Sequence, residues 1–263
     1  KLGAKSLAAP TAGNAGAALS AYGARAGLPV FVAMPTDTPQ SIVDECRSYG
    51  AEVDLVTGVI THAAKRVQQY IAANGGFDLS TLKEPYRVEG KKIMGYELLE
   101  DLGRLPDAIL YPTGGGTGLI GMWKVFGEMR DGGWLARDAQ LPRMIVAQPD
   151  GCAPIVRAWR AGAEFATPWE DPETHASGLR VPGPLGDRLI LRALRESKGD
   201  AASVSEEAIR RDTLRLSRRT GVDAAPEGGC ALAVLDLLVR DRRIASDAEV
   251  LLFNTGSGAS YRF

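Results

Sequence analysis

The segment from Asp107 to Gly121 constrains the fold most, because it joins an apolar run to a helical pattern through three consecutive glycines. The run is typical of a buried strand, and residues 119–129 repeat with a helical period. A strand, a glycine turn and a helix can cradle a phosphate with backbone N–H groups and the helix dipole. The turn lacks the Gly-Lys-Ser/Thr sequence of a Walker A loop. It therefore predicts a bound phosphorylated molecule, with a tight turn that binds nothing as the alternative.

The composition of the 263-residue chain is that of an ordinary globular protein, with 45% hydrophobic and 24% charged residues. The net charge of −1 gives the chain no excess of positive charge with which to attract nucleic acid or an anionic membrane surface. No apolar run approaches the roughly 20 residues that a membrane-spanning helix needs. The sequence therefore predicts neither a nucleic-acid partner nor a membrane segment.

The cysteines and histidines predict no metal site and no disulfide framework. Cys46, Cys152 and Cys230 are odd in number and far apart, and His62 and His175 are the only histidines. These positions do not reproduce the spacing of metal ligands. Unpaired cysteines are typical of a reducing compartment, so a cytoplasmic location is expected.

Predicted strands and helices alternate along the chain. Apolar runs bounded by turn residues predict strands at 30–34, 51–56, 107–112, 143–148 and 250–253. Helical periodicity and capping residues predict helices at 14–26, 38–49, 61–74, 88–102, 119–129, 154–161, 185–196, 205–220 and 229–240. Strands separated by helices are typical of parallel sheets with right-handed crossovers, so an α/β fold is predicted.

Two further turns are candidate ligand loops, because ligands bind beyond the carboxyl ends of strands in open parallel sheets. The turn Pro10–Gly16 precedes a helix, and its polar side chains and N–H groups suit a carboxylate. A simple helix N-cap is the alternative. The turn Asn254–Gly258 follows the last strand and offers two hydroxyl groups, with a polar exit loop as the alternative.

Five segments together resemble the fold-type II pyridoxal-phosphate enzymes. This group includes threonine synthase, the threonine and serine dehydratases, cysteine synthase and the tryptophan synthase β-chain. The segments are Thr11-Ala-Gly-Asn-Ala-Gly16, Glu84-Pro-Tyr-Arg-Val-Glu-Gly-Lys-Lys92, Gly114-Gly-Gly-Thr-Gly118, Ala225-Pro-Glu-Gly-Gly229 and Asn254-Thr-Gly-Ser-Gly258. The resemblance is strongest to threonine synthase and extends over essentially the whole chain.

The resemblance implies a tryptophan synthase β-like fold, in which parallel sheets are flanked by helices in two subdomains. Residues 1–75 would form a smaller, mobile subdomain with the loop for the substrate carboxylate. Residues 76–263 would form a larger subdomain that binds pyridoxal 5′-phosphate. A small amino-acid substrate and a homodimer are also implied.

The resemblance further implies which residues bind the cofactor. Asn14 would donate a hydrogen bond to its 3′-oxygen, and Thr255 would contact the pyridine nitrogen, with Ser257 as second choice. A hydroxyl at that nitrogen leaves it largely unprotonated, which favours elimination and replacement over transamination. The cofactor phosphate would be bound by Gly114, Gly115, Gly116, Thr117 and Gly118.

The substrate of a threonine synthase is O-phospho-L-homoserine, which loses its phosphate and gains water to give L-threonine. The resemblance places its α-carboxylate at Thr11, Ala12 and Gly13. Arg87 matches the family's Pro-x-Arg element and would pair with the substrate phosphate through two hydrogen bonds. A surface salt bridge is the alternative for Arg87.

The sequence departs from the family pattern at two places. Family members have their Schiff-base lysine upstream of the Asn-containing turn in a Phe-Lys motif, and neither Lys1 nor Lys5 lies in such a motif. We therefore expect that lysine to be absent from this chain, the chain to be a fragment without its N-terminal segment, and the fragment alone to be inactive. The Asn and Ser that precede Pro-x-Arg in threonine synthases are not reproduced in residues 80–84.

Other functions stay open at this stage. A serine/threonine dehydratase or a diamino-acid ammonia-lyase would have the same fold. An NAD-dependent oxidoreductase is a separate alternative, because Gly116, Gly118 and Gly121 have the dinucleotide-binding spacing, although Asp150 stands farther away than the expected acidic residue. A binding homologue without catalytic lysine would require a naturally complete chain.

Overall fold

The structure is a computed structural model, and it describes residues 3–261. The strands are β1 (Leu7–Pro10), β2 (Val30–Pro35), β3 (Glu52–Val56), β4 (Phe77–Asp78), β5 (Ala108–Pro112), β6 (Arg143–Pro149), β7 (Asp200–Val204) and β8 (Val250–Leu252). The α-helices are α1 (Asn14–Ala26), α2 (Gln40–Ser48), α3 (Ile60–Asn74), α4 (Tyr86–Lys91), α5 (Ile93–Leu102), α6 (Thr117–Asp131), α7 (Pro154–Arg160), α8 (Asp187–Glu196), α9 (Glu206–Thr220) and α10 (Pro226–Arg240). Short 3₁₀ helices occupy Ser177–Leu179 and Gly258–Tyr261.

These elements form two compact units, residues 3–84 with 258–261 and residues 85–257. Each unit contains a four-stranded sheet whose strand pairs are all parallel, in the orders β3-β2-β1-β4 and β7-β6-β5-β8. The predicted α/β class with parallel sheets flanked by helices is therefore confirmed. A mobile subdomain limited to residues 1–75 stays a prediction.

In the first unit, the sheet is covered by helices on both faces. Val30, Val32 and Met34 of β2 pack with residues of α1 and α2. The alternate residues Phe31 and Ala33 pack with α3. This alternation explains why β2 is apolar at every position, since side chains on both faces of a parallel sheet are buried.

In the second unit, α9 and α10 cover one face of the sheet. Leu110, Ile145 and Ala202, from β5, β6 and β7, form one core cluster with side chains of both helices, among them Ile209 and Val234. Helices α7 and α8 also pack against β6. Strand β5 is buried at all five positions, so its carboxyl end is held on a rigid scaffold.

The structure adds three strands that periodicity did not predict, β1, β4 and β7. Strands β1 and β7 are rich in alanine, which has a low intrinsic strand preference, and β4 has only two residues.

The single helix predicted at 88–102 is two helices. At the break, the N–H of Gly95 donates to the carbonyl of Lys92, three residues earlier, as in a tight 3₁₀ turn.

Among residues 3–261, no helix is both long enough and apolar enough to cross a membrane.

Candidate active site

The candidate ligand loops lie where each sheet changes direction. In the first unit the chain runs from β1 through β2 to β3 and then places β4 on the other side of β1. In the second unit β8 likewise lies beside β5, opposite to β6 and β7. Ligands of open parallel sheets bind beyond the carboxyl ends of strands at such switch points. These ends carry residues 11–14 and 79–84 in the first unit, and residues 113–118 and 253–257 in the second.

The glycine loop after β5 presents a run of unpaired backbone donors. The N–H of Thr113 still bonds to Ala147 in the sheet, and the N–H of Ile120 bonds to Gly116 in helix α6. Between them, no acceptor in residues 3–261 bonds to the N–H groups of residues 114–119. A helix start leaves its first N–H groups free, but this run extends three residues before α6. Six adjacent donors at a helix N-terminus suit a phosphate group.

The backbone of this loop requires glycine. Gly116 has φ 78° and ψ 3°, the left-handed region in which other residues are strained. A Cβ at Gly114 would collide with the carbonyl oxygen of Gly178, and one at Gly118 with the hydroxyl of Tyr111. The left-handed residue turns successive N–H groups toward a common point, as in anion-binding nests. The residues present therefore fit the phosphate of the expected cofactor.

Tyr111 supports the loop from below. Its ring packs against that of Phe253, with 5.0 Å between the ring centroids, and so joins β5 to the end of β8. Burial raises the pKa of the Tyr111 hydroxyl to about 12. The hydroxyl therefore stays protonated near neutral pH, and Tyr111 is a packing residue of the loop.

The loop after β8 lies at the same sheet edge as the glycine loop, because β8 and β5 are neighbours. It contains Thr255 and Ser257, and the Ser257 hydroxyl lies 3.5 Å from the Asp223 carboxylate. Asn254 shapes the loop, since its side chain donates to the Gly256 carbonyl at 2.9 Å. The sequence indicated this loop but assigned no role to Asn254.

In the first unit, residues 11–14 connect β1 to α1. The hydroxyl of Thr11 bonds to both the N–H and the carbonyl of Gly13, at 3.2 and 3.0 Å, and forms a compact turn. In the described part of the chain, the N–H groups of Ala12 and Ala15 have no acceptor. The turn therefore brings Thr11, Ala12, Gly13 and Asn14 together at the N-terminus of α1, a geometry that suits a carboxylate.

The loop after β4 shares that sheet edge, because β4 pairs with β1. Ser80 donates both its N–H, at 2.9 Å, and its hydroxyl to the carboxylate of Asp78. Burial alone would raise the pKa of Asp78, but the hydrogen bonds from Ser80 and Gln68 and the charge of Lys83 outweigh it and lower the pKa. The Ser80 hydroxyl is therefore used inside the loop.

Arg87 belongs to the second unit, in the first turn of α4, and is partly exposed. Desolvation, followed by the positive charge of Arg87, lowers the pKa of Lys91, so these two cations face a common region of α4. Helix α4 lies directly against α6, where a Cβ at Gly121 would come within 3.0 Å of the Val88 carbonyl oxygen. Gly121 therefore has a packing role, which explains its position without a dinucleotide.

Four charged residues strengthen the contact between α4 and α6. The ammonium group of Lys92 lies 2.7 Å from Glu89 and 2.8 Å from Glu128, and Lys124 pairs with the same two carboxylates. Hydrogen bonds from Lys124 and Lys92 lower the pKa of both glutamates. Lys92 is thus a structural residue.

Of the two lysines near the chain start, Lys5 does not lie at a ligand loop. Lys1 is outside the described residues. Lys5 precedes β1, a strand of four residues, and so lies at its amino end. At about 3.3 Å per residue, that end is on the order of 13 Å from the loop at Thr11. This position agrees with the expectation that Lys5 is not the Schiff-base lysine.

The described residues also contain no cluster of His, Cys, Asp and Glu side chains that could hold a metal ion. One residue that the sequence analysis missed contacts the glycine loop. The side-chain amide of Gln148 donates to the carbonyl of Thr113, in the peptide before Gly114. A polar residue after four consecutive apolar residues of β6, 144–147, was the available signal for Gln148. Glu227, in the family-like segment at residues 225–229, accepts a hydrogen bond from the N–H of Gly178 at 3.1 Å.

Comparison with known proteins gives a consistent result. The sequence matches the family of pyridoxal-phosphate dependent enzymes over residues 1–256. It is 34% identical over 258 residues to a threonine synthase of Methanosarcina acetivorans and 30% identical over 260 residues to one of Methanocaldococcus jannaschii. These alignments cover 97% and 98% of this chain, and the chain spans 63% of the length of each relative.

Solved structures share the fold at lower sequence identity. Maize serine racemase superposes with a TM-score of 0.79 at 20% identity, covering 98% of this chain and 76% of the racemase. A threonine deaminase from Solanum lycopersicum gives 0.79 at 19% identity, covering 97% of this chain and 70% of the deaminase. These similarities establish the architecture, and they do not distinguish between the reactions.

Proposed function

The chain belongs to the pyridoxal-phosphate-dependent enzymes, and from this premise we propose a threonine synthase-like activity that converts O-phospho-L-homoserine and water to L-threonine and phosphate. When bound, the cofactor supplies stabilisation of negative charge at the substrate carbons. The protein's part is to hold the cofactor and the substrate in a fixed orientation and to tune the ring electronically.

The run of unpaired N–H groups at residues 114–119 is the observation that carries the proposal. Gly114, Gly115, Gly116, Thr117 and Gly118 would bind the cofactor phosphate through the backbone. No lysine of the loop would neutralise this phosphate, so the N–H dipoles and the α6 terminus would stabilise its charge.

Thr255 would contact the pyridine nitrogen, with Ser257 as second choice. Both are in the loop after β8, and β8 pairs with β5, whose carboxyl end carries the glycine loop. A neutral hydroxyl does not stabilise a protonated pyridine nitrogen as a carboxylate would, so the ring would attract electrons less strongly. This tuning suits elimination and replacement at the β- and γ-carbons.

The first unit would bind the amino-acid end of the substrate. The α-carboxylate would lie at Thr11, Ala12 and Gly13 at the N-terminus of α1, where the N–H of Ala12 has no acceptor among residues 3–261 and can donate to it. Asn14 would donate to the 3′-oxygen of the cofactor. The compact turn formed by the Thr11 hydroxyl supports this assignment, since it holds the backbone in place before a ligand arrives.

Arg87 would bind the phosphate that leaves the substrate. Its guanidinium can form two parallel hydrogen bonds to phosphate oxygens, and Lys91 adds a second positive charge nearby. The similarity to the threonine synthases of Methanosarcina acetivorans and Methanocaldococcus jannaschii supports this substrate. The serine/threonine dehydratase and the diamino-acid ammonia-lyase are the competing activities, because residues 80–84 lack the family's Asn and Ser.

Product analysis distinguishes these activities. Because the 263-residue chain alone is expected to be inactive, a full-length form that includes the Schiff-base lysine is supplied with pyridoxal phosphate and incubated separately with O-phospho-L-homoserine, L-serine, L-threonine and 2,3-diaminopropionate. The proposal predicts equal amounts of phosphate and L-threonine from the first substrate. Faster release of ammonia and keto acid from the unphosphorylated amino acids would favour a dehydratase or an ammonia-lyase.

We also propose a cytoplasmic location and a homodimeric assembly. All three cysteines are buried and free, which suits a reducing cytoplasm. The homodimer implied by the family resemblance is testable by light scattering on the purified protein.

A further inference from the structure

The side chain of Gln148, in β6, is fully buried and uses both ends of its amide. Its Nε2 donates to the carbonyl oxygen of Thr113 at 3.0 Å. Its Oε1 accepts from the N–H groups of Ile155 and Val156, at 3.0 and 3.1 Å, in the first turn of α7. Because Oε1 already faces two donors, the amide is fixed in one orientation, with Nε2 toward Thr113.

This contact replaces a bond that the sheet does not form. The N–H of Thr113 donates to Ala147 at 3.0 Å, so the parallel ladder would continue with the N–H of residue 149 donating back to Thr113. Residue 149 is Pro, which has no N–H. The side chain of Gln148 supplies the missing donor to Thr113.

The Thr113 carbonyl is one half of the peptide unit whose other half is the N–H of Gly114. In a planar trans peptide the C=O and N–H point in opposite directions. A hydrogen bond that holds the carbonyl toward Gln148 therefore directs the Gly114 N–H away from β6. That N–H is the first of the six unpaired donors at residues 114–119.

We propose that Gln148 is a positioning residue for phosphate recognition: its amide holds the Thr113–Gly114 peptide so that the Gly114 N–H faces the bound phosphate. The inference rests on the proposed function, because it takes residues 114–119 as the phosphate site. Gln148 acts through the backbone and does not touch the ligand itself. It also joins the start of α7 to this loop, so the two elements keep one geometry.

The test compares variants that separate the two ends of the amide. Gln148→Glu keeps an oxygen for Ile155 and Val156 but replaces the donor with an oxygen that repels the Thr113 carbonyl. Gln148→Met removes both functions. Adding Pro149→Ala to either variant restores a backbone N–H that can donate to Thr113 and should rescue the defect.

Ser197→Ala provides a matched control for lost stability. The Ser197 hydroxyl is buried and accepts from the N–H of Met144 at 3.1 Å, near the opposite end of β6. Its removal disturbs the same strand without touching the Thr113–Gly114 peptide. Thermal unfolding of each variant without ligand measures the general loss of stability.

The readout is the dissociation constant of pyridoxal divided by that of pyridoxal phosphate, both measured by fluorescence titration. A high ratio means that the protein prefers the phosphorylated ligand. Both ligands share the ring, so a general structural defect weakens both and leaves the ratio unchanged. We expect Gln148→Glu and Gln148→Met to lower the ratio about tenfold or more, on the scale of one hydrogen bond to a charged group. The double variants with Pro149→Ala should recover most of the ratio of the unaltered protein, and Ser197→Ala should keep that ratio.

The results separate this inference from the function on which it rests. If the unaltered protein binds pyridoxal as tightly as pyridoxal phosphate, the phosphate site itself is wrongly assigned. If the unaltered protein prefers the phosphate and both Gln148 variants keep that preference, Gln148 has no positioning role. If one Gln148 variant fails to fold, the other variant and its double variant with Pro149→Ala decide the question. If Pro149→Ala fails to restore the ratio, the inference is also overturned.

Discussion

The side-chain oxygen of Asn254 accepts a hydrogen bond from the backbone N–H of Ala225 at 3.1 Å and so ties the loop after β8 to the start of α10. Helix α10 passes close to this oxygen, because a Cβ at Gly228 would collide with it. Asn254 thus fixes the backbone on which Thr255 and Ser257 stand. The position of the proposed pyridine contact depends on this link.

Replacing Thr255 tests the proposed contact with the pyridine nitrogen. Thr255→Asp should favour the protonated nitrogen, because a carboxylate stabilises the adjacent positive charge. In a full-length form that includes the Schiff-base lysine, we expect a shift in the cofactor's visible absorbance, slower turnover and more transamination. Thr255→Val, which has a similar shape and no hydroxyl, is the control for packing. Identical spectra and rates in the parent and both variants would remove Thr255 from the site.

Introducing a charge into the glycine loop tests the cofactor phosphate site. Gly116→Asp should abolish the cofactor's absorbance, because a carboxylate repels the phosphate. Gly116→Ala carries the same strain at φ 78° and the same collision with Ile190, without the charge. Gly133→Asp places the charge at another left-handed glycine, φ 76°, with open space around it, and should bind cofactor normally. Equal cofactor binding by both Gly116 variants would contradict the assignment.

Arg87→Ala tests recognition of the substrate phosphate. We expect a loss of about 1.5–3 kcal/mol of substrate binding, the scale of a hydrogen bond to a charged group. In a full-length form that includes the Schiff-base lysine, the KM for O-phospho-L-homoserine should rise, while the affinity for pyridoxal phosphate stays the same. Arg192→Ala, a highly exposed arginine beside Glu196, is the control. A KM that does not change would leave Arg87 as a surface residue.

The lowered pKa of Asp78 predicts how the stability of the protein depends on pH. A carboxyl whose pKa is lower in the folded state stabilises that state above its unfolded pKa of about 3.9 and loses this effect as pH falls through the folded pKa. Asp78→Asn should therefore lower the free energy of unfolding by about 1 kcal/mol at neutral pH, since the amide keeps one acceptor oxygen for Ser80 but loses the negative charge and the oxygen that accepts from Gln68. The difference should begin to narrow as pH falls below about 4 and should close once pH is below the lowered pKa of the folded state.

Urea unfolding of both proteins between pH 3 and 7 measures this difference. The exposed carboxylate of Asp247 serves as the control, and Asp247→Asn should change stability little at any pH. A gap between Asp78→Asn and the parent that persists unchanged at the lowest pH would mean that the stabilisation is not electrostatic.

The sequence predicts those strands whose own residues are apolar enough to indicate burial. Strands β2 and β5 are apolar at nearly every position, and the glycine loop follows β5 directly. Strands β1 and β7 could not be predicted in this way. Their alanines carry little strand preference, and neighbouring strands supply the partners that make them strands.

For the candidate site residues too, the sequence reveals local turns but not contacts between distant parts of the chain. Thr11, Gly116 and Thr255 stand in recognisable turns, so their loops could be found from the sequence. Gln148 and Asn254 act through hydrogen bonds to residues 35 and 29 positions away along the chain. Such contacts depend on the strand order, which no local pattern specifies.

Amide NMR of the ¹⁵N-labelled protein during titration with pyridoxal phosphate tests the central claim most directly. We predict that the amide protons of residues 114–119 move downfield with pyridoxal phosphate and stay nearly unchanged with pyridoxal, because only the phosphate would accept their hydrogen bonds. Amides of the Gly132–Gly133 turn serve as an internal control. Large shifts elsewhere with pyridoxal phosphate, and none at residues 114–119, would contradict the account.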